Sequence, residues 1–282
     1  MRYLKKGTIN LLLFLYVATL NSQIKISGNL SVPPSEYSAF KIDDSNRNFY
    51  YKYSYVPNLK NKSKVKSSTT ILQVGANFSK FTDVFVLKRD SLKQSYSKQE
   101  RIGAKEFNLS FAMRAKIGFE KNVFKDLKKN IFTIQGQVYK NEYKYNINAT
   151  HVKWKLKKTK KDILGYTVNK AELSYGGRNW IAWYTQDIPV PLGPHVFGGL
   201  PGLIMEIYDE KNMFHFTIIG MDTKVKEIYM RNEQRIKEVS RKEFMNDEKN
   251  FHERPDLYFS GTIKGGGTLK KKPYNPIELL ED

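Results

Sequence analysis

The sequence predicts a mainly β chain, built as a curved antiparallel sheet with one or two short helices. Three observations carry that expectation. Aromatic and aliphatic residues alternate with polar ones over short runs, which is the period of a half-buried strand. The runs are joined by connections of hairpin length, too short for βαβ crossovers. Tyrosine (18) and phenylalanine (17) are abundant, as suits a pleated, partly buried surface.

Taken in order, Ile24 and Ile26 alternate with Lys25 and Ser27 as a short strand, and residues 32–48, with Pro33-Pro34, read as loop. Asn48–Val56 is a strand with Phe49, Tyr51, Tyr53 and Tyr55 on one face; Pro57 stops it. Lys60, Lys62, Lys64 and Lys66 belong to a solvated loop or to a sheet edge guarded by lysine. Thr69–Val74 is the next strand, and Lys80–Gln99 reads as helix more than strand. Ile131–Val138 and Tyr143–Ile147 pair across Lys140-Asn141. His151–Lys157 alternates, Lys157–Asp162 reads as a turn, and Ile163–Val168 returns as a strand. Lys170–Tyr175 leads into a Gly176-Gly177 turn and then Trp180–Thr185, aromatic on both faces. Leu203–Tyr208 and Met213–Ile219 flank a polar connection, Asp209–Asn212. Ser240 and Glu243 have capping-box spacing and start the best-signalled helix, which Pro255 closes.

Composition narrows the setting. Residues 1–22 have a positive start (Arg2, Lys5, Lys6), an apolar run from Ile9 to Leu20 and a small polar exit at Asn21-Ser22. That is the layout of a secretory signal peptide. Its removal leaves residues 23–282, enough for a single β-rich domain. The chain has no cysteine, which excludes disulfides, thiol catalysis, thiolate metal sites and a lipidated cysteine. The formal charge is +20. In an exported protein such a charge argues against nucleic acid and leaves two readings, solubility from solvated lysines or peripheral contact with an anionic envelope surface.

The most specialised stretch is residues 198–207, within an excursion that runs from Thr185 to Ile207. Ile188-Pro189-Val190-Pro191 is held extended by its prolines. Leu200-Pro201-Gly202-Leu203 fits a type II turn, with proline presetting φ and glycine supplying a positive φ. The segment is therefore expected to be a rigid apolar excursion between two strands, either a buried corner or a wall for a ligand. His195 with Asp187 or Glu206 is the one candidate acid–base pair. Arg178 is the expected partner of Glu206. The chain lacks a nucleophile elbow and paired metal-ligand histidines. No catalytic set, metal or cofactor is expected from the pattern.

The chain resembles the GLPGLI family of exported Bacteroidetes proteins through Gly199-Leu200-Pro201-Gly202-Leu203-Ile204. Trp154, Gly165-Tyr166, Lys170-Ala171, Gly177-Arg178, Ala182–Thr185, Asp187-Ile188-Pro189, Gly193-Pro194 and Phe197 fit its pattern in the same order, as does the tail Pro273–Glu278. Family members commonly carry cysteine where this chain has Val168. The resemblance implies a periplasmic or outer-membrane-associated protein, not a lipoprotein. It also implies a half-barrel similar to periplasmic lipoprotein carriers, and it implies no reaction. The resulting expectation is a non-enzymatic envelope protein that binds an apolar or amphiphilic ligand or a protein partner. Its binding wall is expected from Arg178, Trp180, Trp183, Tyr184, Asp187, Pro189, Gly193, Pro194, Phe197, Gly199, Leu200, Pro201, Gly202, Leu203 and Ile204. Two alternatives stay open: an envelope hydrolase using His195 with Asp187 or Glu206, and an interaction module for an outer-membrane transporter or secretion complex.

Overall fold

The computed structural model describes residues 26, 28–149, 153–232, 234–259 and 270–279. The leader-like residues 1–22, the Ile24–Ser27 strand apart from Ile26, and most of the Lys264–Lys272 turn lie outside them. The described elements are β1 (Ser31–Val32), β2 (Ala39–Ser45), β3 (Arg47–Tyr55), β4 (Lys66–Val74) and β5 (Phe78–Asp83), then α1 (Val84–Tyr96). Next come β6 (Ile102–Gly103), α2 (Ala104–Arg114), β7 (Asn122–Asp126), β8 (Ile131–Val138) and β9 (Asn141–Asn148). They continue with β10 (Lys155–Ile163), β11 (Tyr166–Tyr175), β12 (Arg178–Thr185), β13 (Leu203–Asp209) and β14 (Phe214–Asp222). The series ends with β15 (Lys226–Arg231), β16 (Ile236–Glu238), α3 (Arg241–Glu253) and α4 (Asp256–Phe259).

The expected sheet is present. Twelve strands run in the order β10-β11-β12-β13-β14-β3-β4-β5-β7-β8-β9-β16, antiparallel throughout except for the short β16 beside β9. The sheet is curved and does not close into a barrel. Its two edges are β10 and β16. Two small ribbons, β1 with β6 and β2 with β15, stand apart from it.

Both faces are covered over the middle of the sheet. On one face Tyr53 stacks on Phe216 at 4.5 Å, and Phe81 and Phe119 meet edge to face at 5.1 Å. These rings carry the connection between β12 and β13, in which Phe197 lies 4.6 Å from Trp180. Further along the same face α3 seats Phe244 against Tyr143 and Tyr145. Gly136 makes that possible, because a Cβ there would come within 2.8 Å of the Phe244 ring.

The opposite face is polar although buried. The β2–β15 ribbon and α1 cover Gln73, Lys80, Asn122, Gln135 and Glu142. Lys80 donates to the Tyr229 carbonyl at 3.1 Å and lies 3.5 Å above the Tyr229 ring. Burial pushes its ammonium down to about 7. Arg231 pairs with Glu142 at 2.9 Å under the ribbon. Buried charges of this kind persist only when paired or hydrogen-bonded.

Four expectations need correction. Lys157–Asp162 is not a turn but the middle of β10, and the turn falls at Leu164-Gly165, both at positive φ (49° and 80°). An edge strand with solvent on both sides has no apolar alternation, so its lysines mimic a loop. Residues 32–48 are not all loop, because β2 pairs with β15 far along the chain. The described residues hold four helices, not one or two; α2 buries none of its side chains and so has no apolar stripe to announce it. The Lys80–Gln99 segment opens as strand and becomes α1 only after Asp83, whose carboxylate caps it by accepting from Phe85 N–H at 2.8 Å.

The late helix is as expected. Ser240 Oγ accepts from Glu243 N–H, and Glu243 Oε2 accepts from Ser240 N–H at 2.7 Å. The helix ends at Glu253, two residues before Pro255.

Candidate functional site

The connection between β12 and β13 is a packed plug. Pro189, Pro191 and Pro201 each centre a tight turn, with the following residue donating back two positions: Val190 N–H to Ile188 O, Leu192 to Val190 and Gly202 to Leu200, each at 2.7 Å. These are inverse γ-turns, which the fixed proline φ suits. Gly202 has the expected positive φ, but at 142°, and its hydrogen bond to Leu200 replaces the expected type II turn. A Cβ on Gly202 would stand 1.9 Å from the Thr185 carbonyl oxygen. A Cβ on Gly193 would meet Ile204 at 2.8 Å. Leu203 N–H donates to Ile188 O and Ile204 N–H to Leu192 O, so the excursion is stitched to the strand it launches.

The predicted wall residues divide by position. Trp180, Trp183, Tyr184, Gly193, Pro194, Phe197, Leu200, Gly202, Leu203 and Ile204 are buried. Asp187, Pro189, Gly199 and Pro201 are exposed, and Arg178 is half-buried. Tyr51 OH donates to the Ile204 carbonyl at 2.8 Å, which anchors the plug to the middle of the sheet.

The titratable groups near the plug pair differently from the sequence expectation. His195 holds a left-handed backbone (φ 55°), is buried, and places Nε2 3.5 Å from Glu278. Burial pushes its pKa down to about 4, although the Glu278 carboxylate opposes the shift. Arg241 reaches Glu278 from α3. Asp187 is at the surface, and its N–H donates to Thr185 Oγ1. Glu206 accepts from Lys161 and sits 2.8 Å from His215 Nε2. Burial raises its pKa, but the two hydrogen bonds outweigh that and leave it lowered. The structure therefore joins His195 to Glu278 and Glu206 to Lys161 and His215.

Arg178 does not serve Glu206. It opens β12, lies 3.5 Å from Asp209 and grips the C-terminal segment. Its Nε donates to Ile277 O at 2.9 Å, and Nη2 donates to Asn275 Oδ1 and Pro276 O at 2.8 and 2.7 Å. Its guanidinium also lies 4.7 Å over the Phe214 ring. Gly176-Gly177 make room for the same segment. A Cβ on Gly176 would meet Glu278 at 3.1 Å, and one on Gly177 would meet Leu279 at 2.9 Å. Leu279 N–H donates to Gly176 O, and Asn275 Nδ2 donates to Val56 O. Residues 272–279 thus form a strap across the plugged face, held by the Gly-Gly-Arg turn.

Two cavities open beside the strap and share Tyr274, Asn275 and Pro276. One has a volume of about 230 Å³ and an aromatic lining that includes Tyr53, Tyr55, Phe119 and Phe214. The other is an open cleft of about 840 Å³ that also touches Arg178, Met213 and Leu279. These cleft residues come from separate connections, so no local pattern in the sequence groups them. The sequence signals that touch it are Arg178 and the tail Pro273–Glu278, both through the resemblance pattern. Smaller shares of the plug region reach two other cavities: Gly198 and Gly199 line one of about 160 Å³, and Trp180 lines one of about 590 Å³. Among the described residues no group of three or more His, Asp or Glu could hold a metal ion. No helix among them is long and apolar enough to cross a membrane.

The molecule is thus a large, curved, open antiparallel sheet whose specialised loop plugs one face under a C-terminal strap. A family model described as a protein of unknown function (Porph_ging) matches residues 175–206, which hold the Gly-Gly-Arg turn, β12 and the whole plug. The match fits a Bacteroidetes family of unknown function. No curated protein matches the chain in sequence. Among solved structures the chain is similar to PNGF-II in its P21 crystal form, with TM-score 0.46 and 16% identity over 73% of this chain and 33% of that one. The C2 form of PNGF-II gives TM-score 0.44 and 18% identity over the same shares. The chain spans about a third of the length of the PNGF-II chains it matches.

Proposed function

We propose that this chain is an exported envelope protein of the GLPGLI type, periplasmic or associated with the outer membrane, that works by binding and not by catalysis. It holds an amphiphilic ligand beside the C-terminal strap, and the plug is the rigid wall behind the strap. The observation that supports this most is the adjoining pair of cavities around Tyr274–Pro276, one aromatic and one open. The larger, at about 840 Å³, falls within the range usual for small-molecule sites. Placement also favours binding over hydrolysis, since His195 is buried against Glu278 while Asp187 is exposed and Glu206 is held by Lys161 and His215.

The test is extraction and mass spectrometry of the protein purified from its native envelope. A stoichiometric amphiphile is the expected result. Protein that carries neither an amphiphile nor a captured partner contradicts the proposal.

A further inference from the structure

Resting on that reading, we infer that the larger cleft selects an anionic amphiphile whose head carries phosphate. Four lysines line it: Lys62 from the β3–β4 connection, Lys211 from the β13–β14 turn, and Lys242 and Lys249 from α3. The two helix lysines are seven residues apart, with Asn246 between them on the same face. All four are exposed, and none makes an ion pair among the described residues. No acidic side chain among the described residues lines the cleft. Four uncompensated cations around one concavity focus a positive potential into it.

The number of cations narrows the ligand. Ammonium groups act as point charges that suit phosphate, and four of them around one cleft match a head that carries more than one negative charge. The one arginine in the cleft, Arg178, has its guanidinium committed to the strap and Asp209. The remaining wall is mixed, with Asn246 and Asn275 polar and Leu59, Met213, Pro276 and Leu279 apolar. Leu59 and Leu279 are exposed large hydrophobics at its rim, and Met213 is buried in it. Tyr274 supplies one further donor. The residue lines both cavities, and its hydroxyl is buried with no hydrogen-bond partner among the described residues. Burial raises its pKa, so it stays protonated. A buried hydroxyl left unmade costs free energy that a ligand acceptor would recover.

The experiment is calorimetric titration of the full chain with three probes: dioctanoyl phosphatidate, dioctanoylglycerol and inorganic phosphate. The expected order is phosphatidate tightest, with its affinity falling as salt rises. Replacing Lys62, Lys211, Lys242 and Lys249 together by Gln weakens phosphatidate about tenfold or more. A control with Lys105, Lys128, Lys158 and Lys160 replaced by Gln carries the same charge change away from the cleft and should bind like the parent. Tyr274→Phe weakens phosphatidate and leaves dioctanoylglycerol unchanged. Equal affinity for phosphatidate and dioctanoylglycerol overturns the headgroup inference while the binding function stands. Equal affinity for inorganic phosphate and phosphatidate removes the apolar body from recognition. An equal loss in the control variant reduces the effect to net charge and also overturns the inference. If neither lipid binds, both this inference and the proposed function fall.

Discussion

At the scale of single residues, the Gly199–Ile204 hexapeptide is explained by sterics before chemistry. Gly202 combines a φ of 142° with a neighbouring carbonyl that leaves no space for a Cβ. Gly202→Val should destabilise the fold by about 2–4 kcal/mol, from backbone strain and overpacking together, read as a lowered urea midpoint. Gly199 also has positive φ (85°), but nothing lies near its missing Cβ, so Gly199→Asn should cost far less in the same assay. His195 makes a pH prediction. Its folded pKa lies below the unfolded value near 6.5, so the unfolded chain takes up the proton first. The stabilisation from holding it neutral is complete above pH 6.5 and is lost as the pH falls toward 4. That amounts to about 3 kcal/mol. Urea unfolding at intervals between pH 7 and 4 should show this slope in the parent, and less of it in His195→Asn, which tolerates the left-handed backbone. Equal slopes would remove His195 from the account.

At the scale of elements, the strap depends on the Gly-Gly-Arg turn. Arg178 satisfies three acceptors of residues 275–277 in one plane, which a lysine ammonium cannot reproduce. Arg178→Lys should therefore loosen the strap without unfolding the sheet. Trypsin should then cut after Lys270 and Lys271 several-fold faster than in the parent, while the far-ultraviolet circular dichroism stays unchanged. Elements with a clear local signal were legible in the sequence: the alternating β3, the β8–β9 hairpin, the β12 strand and the Ser240 capping box. The elements that were missed lack such a signal. β10 is an edge strand with no buried face, β2 finds its partner 180 or so residues on, and α2 has no apolar stripe. The partners of the candidate site residues were illegible for a related reason. Glu206 meets Lys161, 45 residues away, and the strap returns to Arg178 from 97 to 99 residues along the chain. Such distances are set by topology and not by local pattern.

At the scale of the whole molecule, the specialised loop packs onto one face of the curved sheet among the described residues. The loop fills that face, and the usable space lies outside it, between the strap, α3 and the strand connections. On the proposed reading, the Gly199–Ile204 segment is scaffold and the lysine-lined cleft is the recognition surface. The most direct test is amide chemical-shift mapping by NMR, with dioctanoyl phosphatidate added to the labelled full chain. The account predicts shifts concentrated at Lys62, Lys211, Lys242, Lys249 and Tyr274, with Gly198–Gly202 unmoved. Shifts centred on Gly198–Gly202, with the cleft lysines silent, would contradict it.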